Sequence, residues 1–164
     1  MIGLGRAYTV QFNAVSIAAQ QTLFYIKPAA DKICIIEAFY LGVTGGAADA
    51  GDAQEELLDI QLIYLPATVT VGSGGTAPTP QPKSINDTAA GFVARTNDTV
   101  KATTSTTAVV RHPDGWNNRI PYGYIPPAEH RDLVANAAAI ILNLNTTPAD
   151  AFLANGEMTV RELP

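Results

Sequence analysis

A two-residue period runs through the stretch RAYTVQFNA, residues 6–14, where Tyr8, Val10 and Phe12 alternate with polar residues. Successive side chains of a β-strand point to opposite faces, so this pattern indicates a strand with one buried face. Apolar runs of strand length recur along the chain, most of them ended by Pro, Gly or Asn, at residues 22–27, 33–43, 55–66, 92–95, 107–112, 137–145 and 156–163. Because no segment of helix length shows a 3.6-residue period, parallel α/β folds with helical crossovers are disfavoured.

The number and spacing of these runs predict the fold class. Eight or more short strands separated by turn signals are typical of an all-β antiparallel β-sandwich, and we expect a jelly-roll-like one with long Gly/Pro-rich loops. The length of 164 residues fits one β-sandwich domain spanning residues 1–164, with an extended loop at about 72–84. With 47% hydrophobic residues the chain can bury a sizeable core.

Charge and local composition disfavour several classes of partner. The net charge is −5, with ten Lys and Arg, so the chain lacks the basic surface that nucleic-acid binding requires. The N-terminal stretch MIGLGRAYTVQFNAV has no apolar block of signal-peptide length, and no window approaches a membrane span, so we expect no membrane partner. The single cysteine, Cys34, lies in the apolar run KICIIEAFYL and is interpreted as a small buried hydrophobe rather than a nucleophile.

The titratable residues form no recognisable catalytic pattern. The acidic cluster in GGAADAGDAQEELLDI offers four carboxylates, a possible calcium loop whose spacing fits no EF-hand, so a solvated loop is favoured and calcium binding stays open: Asp49, Asp52, Glu55 and Glu56. His112 and the run Glu129-His130-Arg131-Asp132 accompany no G-x-S-x-G, H-E-x-x-H or C-x-x-C motif. We therefore expect no catalytic residues, no metal and no cofactor, and interpret these charges as surface or subunit contacts.

The stretch VGSGGTAPTPQPKS, residues 71–84, cannot contribute a packed core. Its glycines provide flexibility, while Pro78, Pro80 and Pro82 favour an extended polyproline conformation and withhold backbone donors. A loop of this length is usually functional or disordered. We interpret it as an arm that lies across a neighbouring subunit and becomes ordered there, and a mobile surface loop remains the alternative.

A second candidate contact lies in the Pro- and Gly-rich stretch at 114–127. Its aromatic residues either anchor the loop and pack at a protein interface or stack on sugar rings. Together with the loop at 72–84, it supplies the residues that we expect to contact a lattice or another subunit: Gly74, Pro78, Pro80, Pro82, Trp116, Arg119, Tyr122 and Tyr124. Arg119, with Arg6 near the N-terminus, could pair with acidic residues of a partner.

Several segments of the chain resemble a known class of protein. The opening GRAYTVQFNAVSI, its continuation AAQQTLFYIKPA, the Gly/Ala/Pro-rich central loop and the closing GEMTVREL resemble small structural proteins of tailed bacteriophages, of the head decoration (cement) type. The resemblance implies a virion component on the capsid surface, made in the host cytoplasm, with no catalytic residues. Its implied partners are the major capsid protein and further copies of itself, and we expect a trimer. The alternatives are a glycan-binding module, a receptor-binding appendage of a phage tail or fibre, and a hydrolase on a jelly roll.

Overall fold

The computed structural model describes residues 5–44, 55–135 and 137–164. These ranges contain one short 3-10 turn, Ala128–His130, and thirteen strands: β1 Arg6–Ile17, β2 Gln21–Pro28, β3 Ile33–Val43, β4 Leu57–Leu65, β5 Val69–Thr70, β6 Gln81–Pro82, β7 Phe92–Asp98, β8 Thr103–Thr104, β9 Val109–Asn117, β10 Tyr122–Tyr124, β11 Leu133–Val134, β12 Ala139–Leu144 and β13 Phe152–Leu163. Within the same ranges no helix is long and apolar enough to cross a bilayer.

The strands form two large sheets and one small one. The first sheet has the order β10-β3-β13-β1-β6, and β11 pairs with β3 on the same edge as β10. The second sheet has the order β7-β2-β12-β4-β9, and β5 pairs with β8 separately. Every pair is antiparallel, so the predicted antiparallel β-sandwich is confirmed.

The main core lies between the two large sheets. The alternation in β1 places Tyr8, Val10 and Phe12 inward, as the sequence predicts, and Met158 and Val160 of β13 join them. Phe12 packs on Phe24 of the second sheet, with ring centroids 5.2 Å apart. Burial of these side chains removes apolar surface from water, which is the dominant favourable contribution to folding.

A second apolar cluster covers the outer face of the second sheet. Tyr25, Ile63 and Ile141 point away from the main core and are buried beneath the segment that carries Val69 and Ala102. All six residues of β12 are buried, as are seven of the eight in β2. Both strands are therefore covered on two faces, which explains their continuous apolar sequences.

The Gly/Pro-rich stretch does not project as an arm. Ser73 bridges Val100, and Thr76 bridges Thr96 of the edge strand β7, with N–H to O distances of 2.9–3.1 Å. The same segment then reaches the first sheet, where β6 pairs with Tyr8 and Thr9 of β1. The segment 72–84, expected to lie as an arm across a neighbouring subunit, instead pairs within its own chain, because the edges of β7 and β1 supply partners there.

Two strand boundaries also differ from the sequence prediction. The strand expected at 107–112 continues to Asn117, through Pro113 and Gly115. Because β9 is an edge strand, Pro113 removes no ladder hydrogen bond from a neighbouring strand. The pairing of β9 with β4 also shifts register beside Arg111. Strand β13 begins at Phe152, inside a stretch whose Pro and Asn residues indicate a loop.

Candidate functional site

Trp116 was expected at a contact surface and is instead part of the main core. Its side chain is 0% exposed, and its ring meets Phe152 edge-on with centroids 5.6 Å apart. The indole Nε1 donates to the backbone oxygen of Ile120 at 3.2 Å. The physical reason is the position of Trp116 opposite Leu58 in the β4–β9 pair, on the inward face of the second sheet. The Trp116 side chain therefore offers no exposed surface to a sugar or a partner in this structure.

Tyr122 and Tyr124 connect the edges of the two sheets. Both are half-buried, and their rings stack on Phe39 of the first sheet with centroids 5.9 and 4.9 Å away. The Tyr124 ring also lies 4.4 Å from the ring of His112, which belongs to β9 of the second sheet. We call the surface formed by residues 109–134, where β9 faces β10 and β11, the β9–β11 side.

A hydrogen-bonded group holds this side together. The Tyr122 hydroxyl donates to Asp114 Oδ2 at 2.6 Å, and His112 Nε2 lies 3.1 Å from the same hydroxyl and 3.4 Å from the carboxylate. The bond from Tyr122, with a second from the Gly115 N–H, holds the pKa of Asp114 below its ordinary value. Burial, helped by the Asp114 charge, raises the pKa of Tyr122. Tyr122 thus stays a neutral donor that joins β10 to β9.

The charged residues next to this group are paired within the chain. Arg111 lies over the Tyr64 ring, 5.2 Å from its centroid, and its Nε is 3.9 Å from Asp132 Oδ1. Burial raises the pKa of Asp132, and Arg111 opposes that change. Burial also raises the pKa of Tyr124, with a further contribution from the Asp132 charge. These contacts join β9 to β10 and to the segment before β11 through side chains.

Exposed apolar side chains concentrate on the β9–β11 side. Five large apolar residues there are between 42% and 64% exposed: Val109, Val110, Ile120, Ile125 and Leu133. Arg119 precedes Ile120 on the exposed turn after β9, and its backbone N–H donates to the Asn117 side chain at 2.9 Å. Five of the eleven large exposed apolar residues in the described part of the chain thus fall between residues 109 and 134.

The residues expected to contact a lattice do not form one surface. Arg119, Tyr122 and Tyr124 belong to the β9–β11 side, whereas the Gly/Pro-rich stretch, with Gly74, Pro78, Pro80 and Pro82, covers the opposite side at β7 and β6. Near that side, Arg6 donates to Thr88 and lies 3.7 Å from Asp87, so its charge is paired within the chain.

The acidic cluster of the sequence lies only partly in the described residues. Asp49 and Asp52 lie outside the described residues, while Glu55 accepts from the Asn117 side chain and Glu56 accepts from the Ala149 N–H at 2.8 Å. Ranges 5–44, 55–135 and 137–164 contain no group of three His, Cys, Asp or Glu suited to a metal ion.

In the run Glu129–Asp132, the first two residues are exposed, while Arg131 donates to Glu37 at 3.0 Å. The prediction for Cys34 is confirmed: the thiol is buried, and burial raises its pKa to about 12.

Sequence reasoning missed a groove on the outer face of the first sheet. The groove has a volume of about 410 Å³ and is lined by Gln11, Asn13, Tyr40, Asn155 and Glu157 among others. Tyr40 is 44% exposed although it belongs to an almost continuous apolar run. Its position between the inward-facing Phe39 and Leu41 is the sequence signal that could have indicated an outward aromatic ring.

No family model and no curated protein matches the sequence. Among solved structures, that of infectious bursal disease virus, Gx strain, aligns with 96% of this chain at 14% identity and a TM-score of 0.16. This chain spans 42% of the length of that viral chain. A superposition this poor carries no argument about fold or function.

Proposed function

We propose that this protein is a non-enzymatic structural component of a virion, which binds the outside of a phage capsid lattice and stabilises it. The observation that carries the proposal is the concentration of exposed apolar side chains on the β9–β11 side. Beside them the Arg111, Asp114 and Asp132 side chains are engaged within the chain, so this part of the surface is suited to apolar burial.

The strand order adds support. We infer a jelly roll, because β1, β13, β3 and β10 lie side by side in one sheet and β2, β12, β4 and β9 lie side by side in the other. Strands β6 and β7 are then additions at one side. Jelly rolls are frequent in viral shell proteins, which is an association at the level of the fold. The resemblance of GRAYTVQFNAVSI and GEMTVREL to decoration proteins favours the same function.

Stabilisation of a lattice requires no reaction. A protein that binds the assembled lattice and not its separated subunits shifts the equilibrium toward the assembled form by mass action. A trimer placed at a lattice symmetry position would engage several copies at once, so a modest affinity at each apolar patch would be multiplied. The hydrogen-bonded group around Tyr122 would help to hold this surface in its binding shape.

Co-sedimentation with purified capsids of the encoding phage tests the proposal. We expect the full-length protein to sediment with capsids and to raise the temperature at which they disrupt. The variant Val110→Asp/Ile125→Asp should bind at least about tenfold more weakly, since it places two charges in the apolar patch. Val93→Asp is the matched control, because Val93 is 57% exposed on edge strand β7 of the opposite side.

Light scattering after size exclusion measures the oligomer, which we expect to be a trimer. Equal capsid binding by the double variant and the wild type would contradict the proposed role of the β9–β11 side. Failure of the wild-type protein to sediment with capsids at any concentration tested would contradict the decoration function.

A further inference from the structure

The groove on the outer face of the first sheet is built by three neighbouring strands. In the order β1, β13, β3, the residues Gln11, Glu157 and Tyr40 pair across the sheet in a single row. Their chain neighbours Phe12 and Leu41 point inward and are buried, so this row faces solvent. The row therefore places an amide, a carboxylate and a phenol ring side by side.

The next row makes the groove concave. Asn155 pairs with Gly42, and a Cβ built on Gly42 would have no atom within 4 Å, so the space beside the Tyr40 ring is open. On the opposite side of the groove, the register of β1 against β13 shifts between Phe12 and Val15. Asn13 belongs to this irregular part of β1 and lines the groove. The volume of about 410 Å³ falls in the range of about 300–1,000 Å³ typical of small-molecule sites.

Most hydrogen-bonding groups in the groove are unused by the protein. Among the described residues, the side chains of Gln11, Asn13 and Tyr40 have no hydrogen-bond partner. Asn155 Oδ1 accepts from the backbone N–H of Ala14 at 2.7 Å, which leaves its amide nitrogen available as a donor. The Glu157 carboxylate has one ion-pair contact, to Lys83 at 3.6 Å. The groove thus offers several donors and acceptors around one exposed ring.

We propose that this groove binds a neutral saccharide. The flat apolar face of Tyr40 suits the C–H face of a sugar ring, and the amides with the Glu157 carboxylate suit its adjacent hydroxyls. Among the described lining residues there is no Lys or Arg, and the Lys83 ammonium beside the groove is already paired with the Glu157 carboxylate, which disfavours phosphorylated, sulfated or sialylated ligands. The site uses none of the residues of the β9–β11 side, so it is independent of the capsid contact.

A saccharide titration followed by amide NMR of the full-length protein tests the proposal. The neutral probes are glucose, galactose, mannose, N-acetylglucosamine, maltose, cellobiose and lactose, and the anionic probes are glucose 6-phosphate and sialyllactose. We expect at least one neutral probe, and no anionic one, to shift the amide signals of Gln11, Gly42 and Asn155. No shift with any neutral probe, or tighter binding of an anionic probe, overturns the proposal.

Variants then locate the binding. Tyr40→Ala should weaken binding of the neutral probe by about tenfold or more, whereas Tyr40→Trp, which keeps a stacking surface, should retain it. Val93→Ala, on the edge strand of the second sheet, is the control and should bind as the wild type does. Tyr40 is exposed, so both Tyr40 variants should fold, and thermal unfolding checks this. Unchanged affinity in Tyr40→Ala contradicts the assignment of the ligand to this groove.

Discussion

At the scale of single residues, two glycines have opposite surroundings: one is closely packed and the other borders open space. Gly75 lies against the edge of β7, where a Cβ would collide with the backbone oxygen of Thr96 and the carbonyl group of Asn97. Gly42 lies in β3, and nothing surrounds the place of its missing Cβ. The two positions therefore respond in opposite ways to the same substitution.

Gly75→Ala should lower the free energy of unfolding by about 1–3 kcal/mol, because either the segment or β7 has to move. Gly42→Ala should leave it unchanged or raise it by about 0.5–1 kcal/mol, because alanine loses less backbone entropy than glycine in a strand. Urea unfolding of both variants measures the difference. Equal stability of the two would show that the Gly/Pro-rich stretch is not held closely against β7.

Asp114 gives a pH dependence with a definite sign. Its pKa is depressed in the folded protein, so its bond with Tyr122 contributes stability above the ordinary carboxyl pKa of about 4 and loses it as the pH falls through the depressed value. Tyr122→Phe removes the hydroxyl. We expect this variant to be less stable than wild type at pH 5, and the difference to shrink at pH 2.

Urea unfolding at both pH values measures that difference, and NMR titration should show the pKa of Asp114 rising in Tyr122→Phe. Tyr25→Phe is a suitable control, since the Tyr25 hydroxyl is buried without a hydrogen-bond partner in the described residues. If the difference in unfolding free energy between wild type and Tyr122→Phe is the same at pH 5 and pH 2, the proposed role of the Asp114 carboxylate is contradicted.

At the scale of elements, the Gly/Pro-rich stretch covers strand edges. Thr76 exchanges both backbone hydrogen bonds with Thr96. Asp98 accepts from the Gly75 N–H at 3.1 Å, and Arg95 donates to the same carboxylate. Further along, the Lys83 backbone N–H donates to the backbone oxygen of Ala7 in β1 at 2.9 Å. The prolines between these points offer no donors to a foreign strand, which protects against edge-to-edge association.

Thr76→Pro should detach the stretch from β7. The variant loses the N–H that bonds Thr96, so we expect a loss of about 1–3 kcal/mol in unfolding free energy and self-association at high protein concentration. Thr79→Pro is the matched control, because the Thr79 side chain is exposed and its oxygen, which accepts from Gln81, is retained. Urea unfolding and light scattering measure both effects, and identical behaviour of the two variants would contradict the edge-cover interpretation.

The elements also show what sequence patterns can predict. The alternation of Tyr8, Val10 and Phe12 is local and fully determines which face of β1 is buried. The burial of Trp116 is not local: Pro113 and Gly115 indicate a loop, and only the position of β9 at a sheet edge makes a strand compatible with them. The groove on the outer face of the first sheet is not evident from the sequence for a related reason, because its row of residues comes from three strands far apart in sequence.

At the scale of the whole molecule, residues 66–108 connect two adjacent strands of the second sheet by a long route. They leave β4, cross the outer face of that sheet as β5, supply β6 to the first sheet and β7 to the second, and return through β8 to β9. Val69 and Ala102 cover Ile63 and Ile141 on the way. The sandwich therefore has a main core between its sheets and a smaller outer cluster that depends on this one segment.

The outer cluster should open independently of the main core. Ala102 is buried there, and Ala102→Glu places a charge among apolar side chains. This burial is unfavourable unless the segment that carries Val69 and Ala102 moves away from the sheet. Hydrogen exchange should then show lost protection at Val69 and Thr104 but retained protection in β12, which is held by β2 and β4 on its two sides. Thr103→Glu is the control, since the neighbouring Thr103 is exposed and tolerates the charge. Simultaneous loss of protection in β12 and at Val69 and Thr104 would show that both clusters unfold as one unit.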